Sequence, residues 1–252
     1  MKFEASATAR GEAGEAYEAP SEDTTVESVT TFAMEGQKVF SEVRESVWSH
    51  SARAFLPFES THSIVSGVSR DKNPRDSYGI IDHGGDLRSS SGYSPIWIAY
   101  RLFDPVLGKA KPENLVPVGS AVHDGHRCIV VDAFEPDGTG YRTRYWIAED
   151  IGCCVVKWQQ IWPDSSVRRD CDMRYARDEK VGWHLQSWEL RSIRVQGSST
   201  DTVTEVQINE PIDPAVFEIT FPVGMKVYDR IKGTEYISDG EGPTPSAATH
   251  VK

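Results

Sequence analysis

The chain has 252 residues, of which 38% are hydrophobic and 26% charged, proportions that are ordinary for a globular protein. Its 27 basic and 38 acidic side chains give a formal net charge of −11, which argues against binding to the phosphate backbone of a nucleic acid because like charges repel. The longest apolar runs, such as 128–131, are far shorter than the ~20 residues of a membrane-spanning helix. We therefore expect no nucleic-acid partner and no transmembrane helix.

Both ends of the chain are rich in small and polar residues. Residues 1–25 carry six acidic and two basic side chains and contain no apolar stretch typical of a secretory signal. This composition predicts a disordered segment at 1–25 and a flexible tail at 238–252, which leaves one folded domain at 26–237. We expect a periplasmic or cell-envelope protein if an export signal is missing from the chain, and a cytoplasmic protein otherwise.

Strand signals dominate the body of the chain. In residues 153–162, Cys154, Val156 and Trp158 share one face of a predicted strand, and Lys157 lies on the other. Turn sequences such as EPDGTG and WPDSS separate consecutive segments, as expected for antiparallel strands joined in order. The predicted strands are 26–35, 38–50, 62–70, 116–123, 127–134, 142–149, 153–162, 167–177, 183–195, 202–210 and 217–221.

Residues 94–103 depart from this strand pattern. Pro95 suits the first turn of a helix, where its missing N–H would have no partner, and Ile96, Tyr100 and Phe103 recur at helical spacing. The pattern predicts one short amphipathic helix. About ten strands joined in order curl strongly because strand twist accumulates. We therefore expect a mainly β protein, built as a single, strongly curved, half-open antiparallel barrel with one or two short helices on its concave face.

The chain contains four cysteines but no Cys-x-x-Cys motif. The predicted hairpins place Cys128 opposite Ala148, Ala148 opposite Cys153, and Cys171 opposite Trp158. Cys128 and Cys153 would then lie two strands apart, about 9–10 Å, whereas a disulfide requires Cα atoms within ~7 Å. We expect four reduced, mostly packed thiols, because a chain with a sizeable core does not need disulfides.

Few polar clusters suggest chemistry. His123 and His126 flank an Asp-Gly pair and could ligate a metal, but Asp-Gly is a hairpin turn signal and no third ligand lies nearby, so we expect no metal. The stretch DHGGD at 82–86 is typical of a loop tip. Arginines and aspartates alternate in 167–178, which indicates a solvated, salt-bridged strand face. Nucleophile-elbow, phosphate-loop and dinucleotide motifs are absent, so we expect no catalytic residues.

Three motifs in the C-terminal half carry a resemblance. They are a strand of the form v-DG-x-x-C-x-v-v, a tryptophan-bearing strand followed by an acidic turn and glycine, and an Asn-x-Pro-Ile run that leads to Phe-Pro-x-Gly-x-x-Val-x-Asp. Their order and spacing resemble the LolA-like domains of outer-membrane lipoprotein-sorting proteins and RseB-type sensor domains. The chain departs from the family pattern W-x-P at Trp183, which His184 and Leu185 follow. The matching residues are Asp124, Gly125, Cys128, Trp146, Glu149, Asp150, Gly152, Asn209, Pro211, Ile212, Phe217, Phe221, Pro222, Gly224, Val227 and Asp229.

This resemblance implies a half-barrel whose concave apolar face holds acyl chains or other hydrophobic ligands, with no cofactor and no covalent chemistry. We therefore expect a non-enzymatic, envelope-associated protein that binds a lipid or a lipoprotein acyl chain. The alternatives are a regulatory or scaffold domain with a protein partner and, less favoured, a hydrolase. A carrier needs a dry groove, a partner-binding domain an exposed apolar patch, and an enzyme convergent titratable groups.

Large apolar side chains in the helix and the central strands are the candidates for a ligand groove. Core packing is the ordinary role of a tryptophan, but an open barrel leaves part of its inner surface uncovered, so some of these side chains are expected to line a groove. The groove candidates are Ile96, Trp97, Tyr100, Phe103, Trp146, Trp158, Trp162 and Trp188.

Overall fold

The structure is a computed structural model that describes residues 2–11, 24–49, 54–73, 78–83, 94–103, 110–135, 139–192 and 197–240. Within these residues the chain forms fifteen β-strands and one α-helix, so the protein is mainly β. The strands are β1 Lys2–Gly11, β2 Thr24–Glu35, β3 Lys38–Ser49, β4 Ala54–Val65, β5 Val68–Asn73, β6 Tyr78–His83, β7 Leu115–His123, β8 His126–Phe134, β9 Arg142–Ala148, β10 Cys154–Ile161, β11 Val167–Asp178, β12 Gly182–Ser192, β13 Gly197–Gln207, β14 Lys226–Asp229 and β15 Thr234–Ile237. The helix is α1 Ser94–Arg101.

The sequence predicts β7 to β12 to within three residues at each end, because their alternation and turn residues are local signals. The predicted helix is confirmed as α1. Strand β1 lies inside the segment predicted to be disordered, and β6, β14 and β15 have no predicted counterpart. The strand predicted at 217–221 does not form: residues 218–221 have no regular secondary structure, and Phe217 ends a 3₁₀ turn, Pro214–Phe217, in which Asp213 accepts a hydrogen bond of 2.9 Å from the Ala215 N–H. Aspartate followed by proline favours the start of such a turn.

The chain divides into two compact units, here called unit 1 and unit 2. Unit 1 comprises Met1–Ser6, Ser28–Asp86 and Thr204–Lys252, and unit 2 comprises Ala7–Glu27 and Leu87–Val203. The single folded domain at 26–237 stays a prediction, and residues 12–23 and 241–252 of the predicted flexible ends lie outside the described part of the chain.

Unit 1 orders its strands β15-β14-β6-β5-β4-β3-β2. All neighbouring pairs are antiparallel except β14 and β6, which run parallel with Lys226 opposite Tyr78. This pair departs from the predicted all-antiparallel arrangement. The Arg230 N–H donates a hydrogen bond of 2.8 Å to the Ile81 carbonyl just beyond the parallel pair. Gly79 on β6 permits the close approach of Phe221, since a Cβ at Gly79 would lie 2.3 Å from that ring.

Unit 2 orders its strands β13-β12-β11-β10-β9-β8-β7, and every described pair is antiparallel. The β7–β8 turn has positive φ at Asp124 and Gly125, +47° and +84°, as expected of the two-residue turns that suit hairpin twist. The register confirms the predicted pairings of Cys128 with Ala148 and of Trp158 with Cys171.

One predicted pairing in unit 2 is wrong by a residue. Ala148 lies opposite Cys154 rather than Cys153, because Cys153 belongs to the preceding turn, where its φ is +61°. An irregularity between Val155 and Lys157 then restores the register on β10, and Lys157 lies opposite Trp146.

Candidate functional site

Helix α1 is anchored in unit 2 by its apolar side chains. Ile96, Trp97, Ile98 and Leu102 are buried, and the helix contacts β10 and β12. This burial differs from the predicted stripe, since Phe103 lies two residues beyond the helix and is 45% exposed. Burial of a stripe of this kind stabilises a short helix that would be marginal alone.

Tyr100 fixes the helix to β12. Its hydroxyl oxygen accepts a hydrogen bond of 2.8 Å from the Leu185 N–H. Desolvation raises the pKa of Tyr100 to about 12, so the phenol is neutral at physiological pH. Tyr175 on β11 donates a hydrogen bond of 3.1 Å to the Val155 carbonyl. These two polar contacts position the strands beside the end of α1.

A cleft of about 370 Å³ opens beside the last turn of α1. It lies against the β9–β10 turn and the start of β10, and its lining combines apolar side chains with polar groups in about equal parts. Its size falls within the usual range of small-molecule sites, roughly 300–1,000 Å³. We call this the α1 cleft; its lining residues are Ile98, Ala99, Tyr100, Arg101, Leu102, Phe103, Cys153 and Val155.

The predicted groove residues divide into three groups. Tyr100 and Phe103 line the α1 cleft. Four more are buried in the core: Ile96, Trp97, Trp158 and Trp188. The rings of the other two, Trp146 and Trp162, each contact a cationic side chain. Trp146 lies under Lys157, whose Nζ is 5.8 Å from the ring centroid, and Trp162 packs against Tyr141 with ring centroids 4.9 Å apart and against Arg168.

One face of the unit 2 sheet carries a network of ion pairs, here called the charged face. On β8 and β9, buried Asp132 accepts two hydrogen bonds from Arg144, of 2.6 and 2.8 Å. Arg142 Nε lies 3.2 Å from the same carboxylate. The bond to Asp132 raises the pKa of Arg144 above its usual value. A bidentate guanidinium–carboxylate pair of this kind is among the stronger polar contacts in proteins.

The charged face continues across β10, β11 and β12. Lys157 Nζ lies 2.9 Å from Asp170 and 3.3 Å from Asp172, and Arg191 contacts both carboxylates from the other side. The pKa of Asp170 is lowered on balance: burial acts to raise it, but its bonds to Lys157, Gln159 and Arg191 prevail. Of the alternating charges of 167–178, Asp170 and Asp172 therefore do belong to a salt-bridged face, and their cationic partners lie on the adjacent strands β10 and β12.

The charged face and the α1 cleft lie on opposite sides of the sheet. Lys157 is paired with Trp146, whereas Val155 in the cleft is paired with Ile147. Trp146 and Ile147 are consecutive on β9, so their side chains point to opposite faces. The α1 cleft is thereby separated from the ion pairs of the charged face.

The two histidines of the β7–β8 turn each contact a carboxylate. His123 Nε2 lies 3.0 Å from Asp172, and His126 Nδ1 lies 2.8 Å from Asp150. Within the described residues no group of three or more His, Cys, Asp or Glu side chains could hold a metal ion. In DHGGD, Asp82 pairs with Arg230 at 3.1 Å and accepts from the His83 N–H; residues 84–86 lie outside the described chain.

All four cysteines are free thiols, and Cys153 alone is exposed. Burial raises the pKa of Cys154 to about 11 and shifts those of Cys128 and Cys171 upward as well. Sequence reasoning missed Ile98, Leu102, Cys153 and Val155 as cleft residues. The helical stripe could have included Leu102, but no local signal places the β9–β10 turn beside α1.

Comparison with known structures finds proteins of similar architecture. A crystal structure of a DUF1329 family protein from Desulfovibrio piger matches with a TM-score of 0.56 and 13% identity, over 86% of this chain and 88% of that chain. A domain of an outer-membrane lipoprotein-sorting protein from Vibrio parahaemolyticus matches with a TM-score of 0.53 and 10% identity, over 86% and 89%. The chain has a LolA-like fold. A LolA superfamily protein from Nitrosomonas europaea has a TM-score of 0.46 and 10% identity, over 86% and 90%.

The LolA-like resemblance predicted from the sequence is thus confirmed for the fold. No protein-family model and no curated protein sequence matches the chain. In the described part of the chain, no helix has the length and apolar character needed to cross a membrane.

Proposed function

We propose that the protein binds a hydrophobic ligand, a lipid or a lipoprotein acyl chain, in the α1 cleft and does so without catalysis. The observation that carries the proposal is Phe103, a phenyl ring left 45% exposed at the rim of the α1 cleft, which it lines together with apolar side chains such as Ile98 and Leu102. An exposed aromatic side chain costs free energy that a bound apolar ligand recovers, at about 25 cal/mol per Å² of apolar surface removed from water.

Helix α1, which forms one wall of the cleft, is packed firmly against the sheet, and this supports a binding role. Ile96 and Trp97 are each 1% exposed and hold α1 against the sheet, so the walls do not need to form when the ligand arrives. A pre-formed site avoids the entropy of ordering that otherwise weakens binding. In this proposal Tyr100 and Phe103 contact the ligand, and the buried tryptophans support the cleft from behind.

We further propose that the unit 2 sheet is strongly curved, as in a half-barrel. Strands β7 and β11 are separated by three others, which corresponds to about 19 Å across a flat sheet. A histidine and an aspartate side chain do not bridge that gap, yet His123 and Asp172 are 3.0 Å apart. The contact supports curvature toward the charged face. The α1 cleft then lies on the outer side of this curve, not in the concave face expected from the sequence.

A location in the periplasm or cell envelope is part of the same proposal. The Vibrio structure of the same fold is a domain of an outer-membrane lipoprotein-sorting protein, and a carrier for acyl chains is useful where lipidated proteins cross an aqueous compartment. The residues that line the α1 cleft include no carboxylate and no histidine, which favours binding over catalysis.

A second candidate function is binding of a protein partner, favoured by strand β7. This strand ends the order of unit 2, and Val116, Val118 and Val122 on it are exposed. An edge strand with exposed apolar side chains can pair with an extended segment of another protein. Pro117 removes one backbone donor from that edge, so the second half of β7 would carry the contact.

A fluorescence titration of the full chain with 11-(dansylamino)undecanoic acid tests the proposal. Phe103→Asp places a charge at the rim of the α1 cleft, and we expect Kd to rise at least about tenfold, since covering that charge with an apolar ligand costs more than the 1.4 kcal/mol that corresponds to a tenfold change. Val122→Asp, on β7 and 73% exposed, is the matched control and should leave Kd unchanged.

Ile96→Asp checks that α1 is packed as described, because it buries an unpaired carboxylate and should unfold the protein in circular dichroism. If Phe103→Asp keeps its melting temperature and binds the probe as tightly as the unsubstituted chain, the α1 cleft is not the ligand site. If Val122→Asp alone loses binding, β7 carries the interaction.

A further inference from the structure

Arg168 and Arg169 on β11 do not follow the salt-bridged pattern of their neighbours. The pairing of β10 with β11 shifts beside Arg169, which lies opposite Gln160, and this leaves Arg168 as an extra residue, a β-bulge. A bulge interrupts the alternation of side chains and redirects the residue that it inserts. The Arg168 guanidinium lies over the Trp162 ring, 5.3 Å from its centroid, and Trp162 packs against Tyr141. An aromatic pair thus holds the guanidinium in place.

Neither arginine is neutralised by an acidic side chain. Within the residues that the structure describes, no carboxylate forms an ion pair with Arg168 or Arg169. The neighbouring Asp170 is held by Lys157 and Arg191 instead. Both arginines are half-buried. Burial lowers the pKa of Arg169, and repulsion from Arg168 lowers it further. Partial burial of a charge without a counter-charge costs free energy, so this part of the sheet favours the binding of an anion.

A cavity of about 230 Å³ lies next to Arg168, where β9 begins and β10 ends, and is here called the bulge cavity. Its volume is below the roughly 300–1,000 Å³ of sites for drug-sized ligands. It shares no lining residue with the α1 cleft. A small ligand therefore suits the bulge cavity better than an acyl chain does, and binding of such a ligand is independent of the α1 cleft.

The polar groups that line the bulge cavity include both hydrogen-bond donors and acceptors. Arg168 supplies N–H donors, and Arg142, which lies 3.2 Å from Asp132, adds a second guanidinium. Gln160 Oε1 is buried and has no hydrogen-bond partner in the described part of the chain, and an unpaired buried acceptor costs free energy. Glu135 adds an exposed carboxylate. A ligand that satisfies these groups carries an anionic group together with hydroxyl donors.

We propose that the bulge cavity binds a small hydroxylated phosphomonoester with the chemistry of glycerol 3-phosphate. The forked guanidinium of Arg168 matches the geometry of phosphate oxygens, and a ligand hydroxyl donates to Gln160 Oε1. A phosphomonoester carries about −1.5 to −2 charges near pH 7, which balances Arg168 and Arg169 more fully than the single charge of a carboxylate does. Glu135 accepts from a second hydroxyl, and its negative charge disfavours an anion that lacks hydroxyl groups.

Equilibrium dialysis of the full chain against radiolabelled glycerol 3-phosphate at low ionic strength tests the proposal. Arg168→Gln removes the charge and the forked donors, and Kd should rise at least about tenfold because the lost hydrogen bonds are made to a charged group. Arg174→Gln is the matched control: it lies on the same strand, is exposed, changes the net charge equally and should leave Kd unchanged. As unlabelled competitors, inorganic phosphate should displace the ester less effectively than glycerol 3-phosphate does, and glycerol should not displace it.

Several outcomes overturn the proposal. The unsubstituted chain does not retain the ester, or Arg168→Gln and Arg174→Gln weaken binding equally, which would mean that net charge alone attracts the anion. Inorganic phosphate that competes as well as glycerol 3-phosphate overturns the hydroxylated ligand. If Arg168→Gln does not fold in circular dichroism, Arg168→Lys replaces it, since lysine keeps the charge but lacks the fork; Kd should still rise, and an unchanged Kd overturns the role of Arg168.

A phospholipid head group offers related chemistry from a different source. Sedimentation with phosphatidylglycerol vesicles distinguishes the two, because a cavity of about 230 Å³ suits the soluble ester. We expect the protein to stay in the supernatant. Sedimentation that is lost in Arg168→Gln and kept in Arg174→Gln would overturn the soluble ligand in favour of a lipid head group.

Discussion

Replacing Asp132 by asparagine would test the charged face at its most buried point. Asp132 is 5% exposed and holds both Arg142 and Arg144. Breaking a buried pair by removing one partner typically costs about 3–5 kcal/mol, because the other charge is left unpaired. Here both guanidinium groups keep some access to water, and the amide retains one acceptor. We therefore expect Asp132→Asn to lower the free energy of unfolding of unit 2 by about 2–3 kcal/mol.

Urea unfolding followed by tryptophan fluorescence is a suitable assay, because six of the seven tryptophans lie in unit 2 and only Trp48 lies in unit 1. With a slope of about 2 kcal/mol per M, the midpoint should fall by about 1–1.5 M. Arg127→Ala is the control, since it removes a solvent-exposed pair of 3.9 Å and should cost less than about 0.5 kcal/mol. Equal midpoint shifts for the two variants would refute the structural role assigned to Asp132.

Two further predictions follow from side-chain environments. In the native protein a thiol reagent such as 5,5′-dithiobis(2-nitrobenzoic acid) should modify Cys153 first and the other three cysteines only after denaturation. Those three thiols are less accessible and their pKa values are raised. Two or more fast-reacting thiols in the native protein would contradict the described burial. Gly79→Ala should destabilise unit 1 by about 1–3 kcal/mol, because its methyl group would overlap the Phe221 ring. In the double variant Gly79→Ala, Phe221→Leu, part of that loss of stability should be recovered, as measured by chemical denaturation. If the stability losses of the two single variants simply add in the double variant, the result would argue against the contact.

Local patterns in the sequence were sufficient for much of unit 2. Alternation in β10 and β11, the Asp-Gly turn before His126 and the proline that opens α1 all act over a few residues. The same locality explains the pairing of Cys128 with Ala148, since a hairpin register follows from its turn. The fold resemblance likewise rested on the order of short motifs.

The tertiary structure alone decided which large side chains are core and which are at a surface. Trp158 and Trp146 both lie on strands with clear alternation, yet the former is buried and the latter lies beneath Lys157, because burial depends on what covers each face of the sheet. The parallel pairing of β6 with β14 joins segments more than 140 residues apart, and no local propensity encodes such a partner. The contact between His123 and Asp172 depends on how far three intervening strands twist. The sequence by itself therefore determined β7 to β12, the turns between them and the single helix, whereas the α1 cleft and the contact of His123 with Asp172 arise only where distant elements meet.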